Sequence, residues 1–268
     1  MRGLLKLIRC EFRKLKRRKI VYALTSLAFI FPLLMALMVR TQIGPDATAE
    51  YLRGRFNFFQ GCASLYGFGL LMPCLIGIMA ATLFFTERDC DTFKNLQVIP
   101  ITQGQLIFAK ISVLYLWSFL FSALTTASIF LFAAILHVGI IYDVGFVLLS
   151  NFLYSIFIPT ASLPLVALVI YFNKTYLLSV LLSLFYSIFN WGLVAILGNL
   201  SANLSNLLPV ICTIAWMNGF SIHHEGLEAS RTAAMAIVPS NLFLVLVMAL
   251  TFLVSIGLIL RFYKKWER

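Results

Sequence analysis

An all-α protein with six membrane-crossing helices is the fold class this sequence predicts, and three observations predict it. Hydrophobic residues make up 61% of the 268 and charged residues only 12%, where a soluble domain carries about 25% charge. The mean hydropathy is +0.95. Second, the chain contains long uncharged runs, such as Ala63 to Phe85 and Ile111 to Tyr142. Each exceeds the roughly 20 apolar residues that a helix needs to cross a hydrocarbon core. Third, the basic residues alternate between the two ends of the predicted spans with a strong bias.

Taken in order, the spans are Ile20 to Val39, Ala63 to Phe85, Leu106 to about His137, Val144 to Phe172, Tyr176 to Leu197, and Asn241 to Leu260. The third and fourth are longer than one crossing requires, so tilt, a kink or an extension beyond the membrane is expected. Pro32, Pro73, Pro159 and Pro164 fall inside spans, where neighbouring groups must satisfy the freed carbonyls. With the N-terminus inside, 17 Lys and Arg residues lie on the cytoplasmic side. Only Arg40, Arg53, Arg55 and Arg231 lie outside, which is the positive-inside pattern. Both termini are therefore expected in the cytoplasm of a multi-pass cell-membrane protein. The net charge of +11 reads as an orientation and lipid signal. No folded basic domain is present to bind nucleic acid.

Residues 1–39 resemble a signal peptide in charge order, but the apolar run is of full span length and no A-x-A-like site follows it. Residues 2–19 read instead as a surface helix. At 100° per residue, Leu4, Leu5, Ile8, Phe12 and Leu15 share one arc, with Lys6, Arg9, Arg13, Lys16 and Arg17 opposite. Such a helix rests among headgroups, where anionic lipid contributes about 1 kcal/mol per nearby basic side chain.

The most informative segment is the polar island Thr86 to Ala109. Glu87, Asp89 and Asp91 cluster at its front, Pro100 breaks it, and Thr102 with Gln105 forms a capping box for the next helix. A short helix outside the membrane followed by sharp re-entry is a docking device for something soluble. Phe93 and Leu96 lie three apart and share a helix face, as do Thr92 and Leu96 at four.

The remaining motifs point away from chemistry in this chain. No G-x-x-x-x-G-K-[ST] is present to cradle ATP phosphates. The spans hold no paired carboxylates of the kind an ion-coupled carrier uses. An intramembrane enzyme is disfavoured, because no nucleophile–base pair lies in the spans. The five cysteines form no C-x-x-C pair and read as small apolar residues. His223, His224, Glu225 and Glu228 are the one ligand-like cluster; adjacent histidines cannot share a helix face, and a polar loop is the reading preferred over a metal site. No catalytic residue, metal or chain-bound cofactor is expected. Ser179, Ser183, Ser187 and Asn190 recur at helical intervals along span five, and Ser118, Ser122, Thr125 and Thr126 along span three. Packing is the commoner reason for such stripes, and Ser183 and Ser187 are also candidates to face a substrate.

On these residues the chain resembles the small type-2 ABC exporter permeases. That family has six spans, an elbow helix before span one (here residues 1–19) and a coupling helix between spans two and three (here residues 86–101). Its pattern runs from a Glu through Thr or Gly, Leu and Pro to a Lys opening the next span. Glu87, Thr92, Leu96, Pro100 and Lys110 occupy those places, with Lys94 also typical. Gln103 departs from it, where many members carry Arg or Lys. The resemblance implies one permease domain over residues 1–268 and a cytoplasmic ABC ATPase in two copies. ATP and Mg would be held by that partner and not by this chain. It implies ATPase coupling through Glu87, Asp89, Thr92, Phe93, Lys94, Leu96 and Pro100.

A narrower resemblance is to permeases of lantibiotic self-immunity and bacitracin-type resistance, through length, basic tail and a long segment 198–240 between spans five and six. It implies a bacterial protein that clears an antimicrobial peptide from the membrane, as a dimer with itself or with a second related permease. Within that segment, Leu207 to Gly219 is too hydrophobic for an ordinary loop and is expected to dip into the outer leaflet as short helices. Trp216, Met217 and Phe220 are the candidates to meet a lipophilic peptide there; the competing reading is an interfacial aromatic belt. A drug, lipid or ion exporter shares the same logic. From another class, a passive channel or the membrane anchor of a sensor complex is the alternative.

Overall fold

Six helices long and apolar enough to cross a membrane organise this computed structural model, and the described residues contain no strand. Described are residues 2–41, 48–89, 102–172, 175–197, 206–225 and 238–266. In chain order they form α1 (Arg2–Lys16), α2 (Lys19–Arg40), α3 (Ala49–Ser64), a π-helical segment (Leu65–Leu71), α4 (Met72–Asp89), α5 (Gln103–Leu136), α6 (Val144–Tyr171), α7 (Tyr176–Leu197), α8 (Pro209–Glu225) and α9 (Asn241–Trp266). The chain is an all-α polytopic membrane protein.

The expected spans are all present, with three changes of extent. Span two does not begin at Ala63. One helical run passes from Ala49 through the π segment to Asp89, starting where Thr48 accepts a hydrogen bond from the Tyr51 amide at 3.3 Å. Residues 49–62 carry Glu50, Arg53 and Arg55, so hydropathy does not mark them, yet Phe56, Phe59 and Ala63 are buried against α2 and α5 in a cluster with Ala36, Val39 and Ile129. Span three opens at Gln103 with the capping box in place: the Gln105 amide donates to Thr102 Oγ1 at 3.4 Å and the Thr102 amide to Gln105 Oε1 at 3.2 Å. It ends at His137, which adopts the left-handed conformation at φ 51° and returns its N–H to Ala133 O. Span six continues six residues past Leu260 to Trp266.

The centre of the bundle is α4. Ile76, Met79, Ala80, Ala81, Phe84 and Phe85 are fully buried, facing Val113, Leu114, Leu165, Val166, Val169 and Tyr263 from α5, α6 and α9. The close approach of α7 to α4 has a specific cause. A Cβ at Gly77 would overlap Ser183 Oγ and stand 2.8 Å from Leu165 Cδ2. Small residues thus set the interhelical distance. By contrast α2, α7 and α9 turn rows of large apolar side chains outward, including Phe29, Leu34, Leu181, Phe185, Leu246 and Leu253, as helices facing lipid do.

Several intramembrane hydroxyls are satisfied within their own helix. Thr82, Thr126, Ser162 and Ser183 each donate to the carbonyl four residues back, at 2.7 to 2.9 Å. A bilayer offers them no water, so this back-bonding is what permits them there.

Candidate functional site

Two places in the bundle gather polar groups, one at each end. At the end that holds α1, Lys110 is fully buried and Glu11 is only 1% exposed. Lys110 Nζ donates to Glu11 Oε2 at 3.1 Å and to Leu83 O at 2.8 Å, and lies 5.3 Å from the Phe84 ring centroid. Lys14 Nζ donates to the other oxygen of Glu11. Burial alone pushes the Glu11 carboxyl up; the charges and hydrogen bonds of Lys110 and Lys14 outweigh it and hold the group below the ordinary glutamate value. One ammonium therefore ties three elements: the surface helix α1, the last turns of α4 and the first turns of α5. Leu83 lies six residues before the end of α4 and Lys110 seven after the start of α5, so the clamp joins the two helices that flank residues 90–101.

At the opposite end a cavity of about 900 Å³ opens between α3, α6 and α8. Its α3 wall is a stripe at helical spacing, Glu50, Arg53, Asn57, Gln60 and Ser64. Ser150 and Tyr154 of α6 face it, with Asp143 at the rim; α8 contributes Asn218, Ser221, Ile222 and His224. Behind this wall runs a hydrogen-bonded chain. Gln60 Nε2 donates to Ser64 Oγ at 3.3 Å, Ser64 Oγ to Asn151 Oδ1 at 2.8 Å, and Asn151 Nδ2 to Thr126 Oγ1 at 2.8 Å. These groups are buried and mutually satisfied, so they fix α3, α5 and α6 relative to one another. At the mouth His224 pairs with Asp143 and stacks on Phe146, with ring centroids 3.9 Å apart.

The sequence profile described as ABC-2 family transporter protein matches residues 7–190. The chain belongs to the ABC-2 transporter family. No curated protein sequence matches it. Members are membrane components, typically non-catalytic, that work with an ABC ATPase in a separate subunit. The matched region contains α2 to α6 together with the clamp at Lys110.

The sequence-predicted residues of this ABC-2 permease fall in three groups. Glu87 and Asp89 lie in the last turn of α4, which extends the helix past the point where the polar island begins. Thr92, Phe93, Lys94, Leu96 and Pro100 lie outside the described residues, as do most of the 86–101 coupling segment and Glu228. On α8, Trp216 and Phe220 stack at 5.5 Å and pack on Phe157 and Phe146 of α6. Trp216 Nε1 also donates to Asn241 Oδ1 at 2.8 Å. Met217 is 1% exposed in the main core. Ser183 and Ser187 are buried in the α4–α7 contact, where Ser187 Oγ donates to Leu70 O. Met217, Ser183 and Ser187 thus pack against this chain's own helices. The structure shows α8 as one 17-residue helix against α6 and α9 where short helices were expected.

Two sets of residues escaped the sequence reading. Glu11 is the lone acid among nine bases before Ile20, and that isolation was the available signal. The α3 stripe was legible as a three-four spacing of polar residues, hidden because it precedes the hydropathic span.

Proposed function

We propose that this permease exports amphiphilic antimicrobial peptides of the lantibiotic or bacitracin kind, conferring self-immunity or resistance on a bacterium. The carrying observation is the two-sidedness of α8. Trp216 and Phe220, four residues apart, share one partly exposed aromatic face with Phe146 and Phe157. Asn218 and Ser221 on another face line the cavity opposite the polar stripe of α3. A substrate with a lipophilic flank and a polar flank matches both. The charge bias supports both termini in the cytoplasm, so that the cavity opens outside. The coupling segment 86–101 then meets two copies of the ATPase, which hold ATP and Mg, and the permease pairs with itself or with a related chain. Movement of that segment reaches α4, α5 and α1 together, because Lys110 ties all three.

The reading is tested in a peptide-sensitive bacterial host that expresses the permease with its ATPase. The inhibitory concentration of nisin or bacitracin should rise several-fold, and Trp216→Ala with Phe220→Ala should reduce that rise at equal permease abundance. No protection against either peptide by the parent complex would overturn the reading.

A further inference from the structure

The cavity between α3, α6 and α8 has features that packing does not require. Gly54 and Gly61, seven residues apart on the cavity-facing side of α3, both line it, and a Cβ at either would meet nothing within 4 Å. Glycine inside a helix costs about 0.5–1 kcal/mol relative to alanine, and here no neighbouring atom demands it. The two glycines keep one wall open. Tyr154 is 5% exposed, lines the cavity and stacks on Phe68 with ring centroids 5.1 Å apart. Among the described residues its hydroxyl makes no hydrogen bond. A nearly buried polar group facing open space awaits a partner.

The lining also defines what that partner is. Its ionisable groups lie at helix ends: Glu50 and Arg53 near the start of α3, and Asp143 paired with His224 across the ends of α6 and α8. Each acid has a basic side chain near it in the lining, so the cavity presents no cluster of one charge. Among the apolar side chains of Phe58, Leu65 and Ile222, the lining carries the uncharged polar groups of Gln60, Ser64, Ser150 and Tyr154. Every one of these can both donate and accept. A peptide backbone, with an N–H and a C=O at nearly every residue, is the uncharged chemistry that meets such a wall along its length. Glu50 and Leu65 are 15 residues apart on the same wall, roughly 22 Å at 1.5 Å per residue. The cavity volume lies near the top of the roughly 300–1,000 Å³ range for single-ligand sites.

We infer that this cavity binds an uncharged stretch of the exported peptide's backbone, an inference that rests on the peptide reading above. Tyr154 through its hydroxyl and Gln60 through its side-chain carbonyl are its hydrogen-bonding groups, and Gly54 and Gly61 are the positions that admit the chain. Trp216 and Phe220 lie on the other side of α8 and hold the lipophilic flank.

Cys62 lines the same cavity and supplies a native reporter. In the permease–ATPase complex in proteoliposomes, with the other four cysteines replaced by alanine, N-ethylmaleimide labelling of Cys62 is followed with and without nisin or bacitracin. Peptide-stimulated ATP turnover is measured in parallel. The peptide that stimulates turnover should slow Cys62 labelling, and the series Gly61→Ala, Gly61→Leu, Gly61→Trp should raise its apparent KM in order of size. At Trp the increase should reach about tenfold, and Tyr154→Phe, which keeps the stacking, should raise it about threefold, as expected for one lost hydrogen bond. Stimulation with unprotected Cys62 and an unchanged KM in Gly61→Trp and Tyr154→Phe would overturn the cavity as the site and leave the peptide reading standing. Protection by vesicle lipid headgroups that peptide does not alter would assign the cavity to lipid and also overturn it. Stimulation by neither peptide would overturn the reading and the inference together.

Discussion

Replacing Glu11 by alanine isolates the clamp at the α1 end. In the parent, the Lys110 ammonium is fully buried and shared between the Glu11 carboxylate at 3.1 Å and Leu83 O at 2.8 Å. Removing the carboxylate takes an anion 3.1 Å away from a fully buried ammonium. Breaking a buried pair in this way costs about 3–5 kcal/mol. At roughly 2–4 °C per kcal/mol for a chain near this size, the apparent Tm should fall by about 10 °C. Lys14 is the internal control. Its side chain is 39% exposed, so Lys14→Ala should cost about 1 kcal/mol or less. Replacing both partners, Glu11→Met with Lys110→Met, removes both charges and should recover much of the loss. The assay is thermal unfolding in mild detergent, followed by fluorescence-detected size exclusion. A Tm for Glu11→Ala no lower than that of the exposed-site variant Arg13→Ala would refute the argument, as would a double variant that loses the sum of the singles. The pH dependence has a definite sign. Lys110 and Lys14, against the opposing effect of burial, hold the Glu11 carboxyl lower in the folded chain than an ordinary glutamate. Its stabilising contribution is therefore complete above about pH 4.5 and is lost as pH falls through the lower folded-state value. The parent should lose Tm on acidification through that window, and the double variant should lose less.

Other predictions probe the remaining parts. Gly77→Val places a branched side chain against Ser183 and Leu165 at the α4–α7 contact; overpacking costs typically 1–3 kcal/mol, and the yield of monodisperse protein should drop while Gly54→Ala, in open space, is tolerated. Phe93→Asp should permit normal membrane insertion but weaken ATPase binding, because desolvating an unpaired charge costs several kcal/mol; parental affinity in a pull-down would remove Phe93 from the docking surface. In a cysteine-free background, a cysteine at Ser201 should react with an impermeant maleimide in intact cells and one at Asn95 only after permeabilisation. The reverse pattern would invert the topology.

What the sequence determined by itself was everything that follows from local composition. Uncharged runs located six spans, because a backbone in hydrocarbon must satisfy its own hydrogen bonds as helix. Thr102 and Gln105 located the start of span three, because a cap uses neighbours three residues apart. The spacing of apolar residues from Leu4 to Leu15 located the surface helix seen as α1. The functional ends were a matter of tertiary structure. Glu11 and Lys110 are 99 residues apart, and no window of sequence pairs them. Asp143 and His224 are 81 apart. Most of the stripe from Glu50 to Ser64 falls before the predicted second span because charge lowers hydropathy, and packing of Phe56 and Phe59 against α2 and α5 makes it a helix wall. The serines of α7 read from sequence as packing with a pathway face as the alternative, and Gly77 and Leu70 of neighbouring elements lie beside them. Burial and pairing depend on what arrives from distant parts of the chain, and helix periodicity carries no record of that arrival.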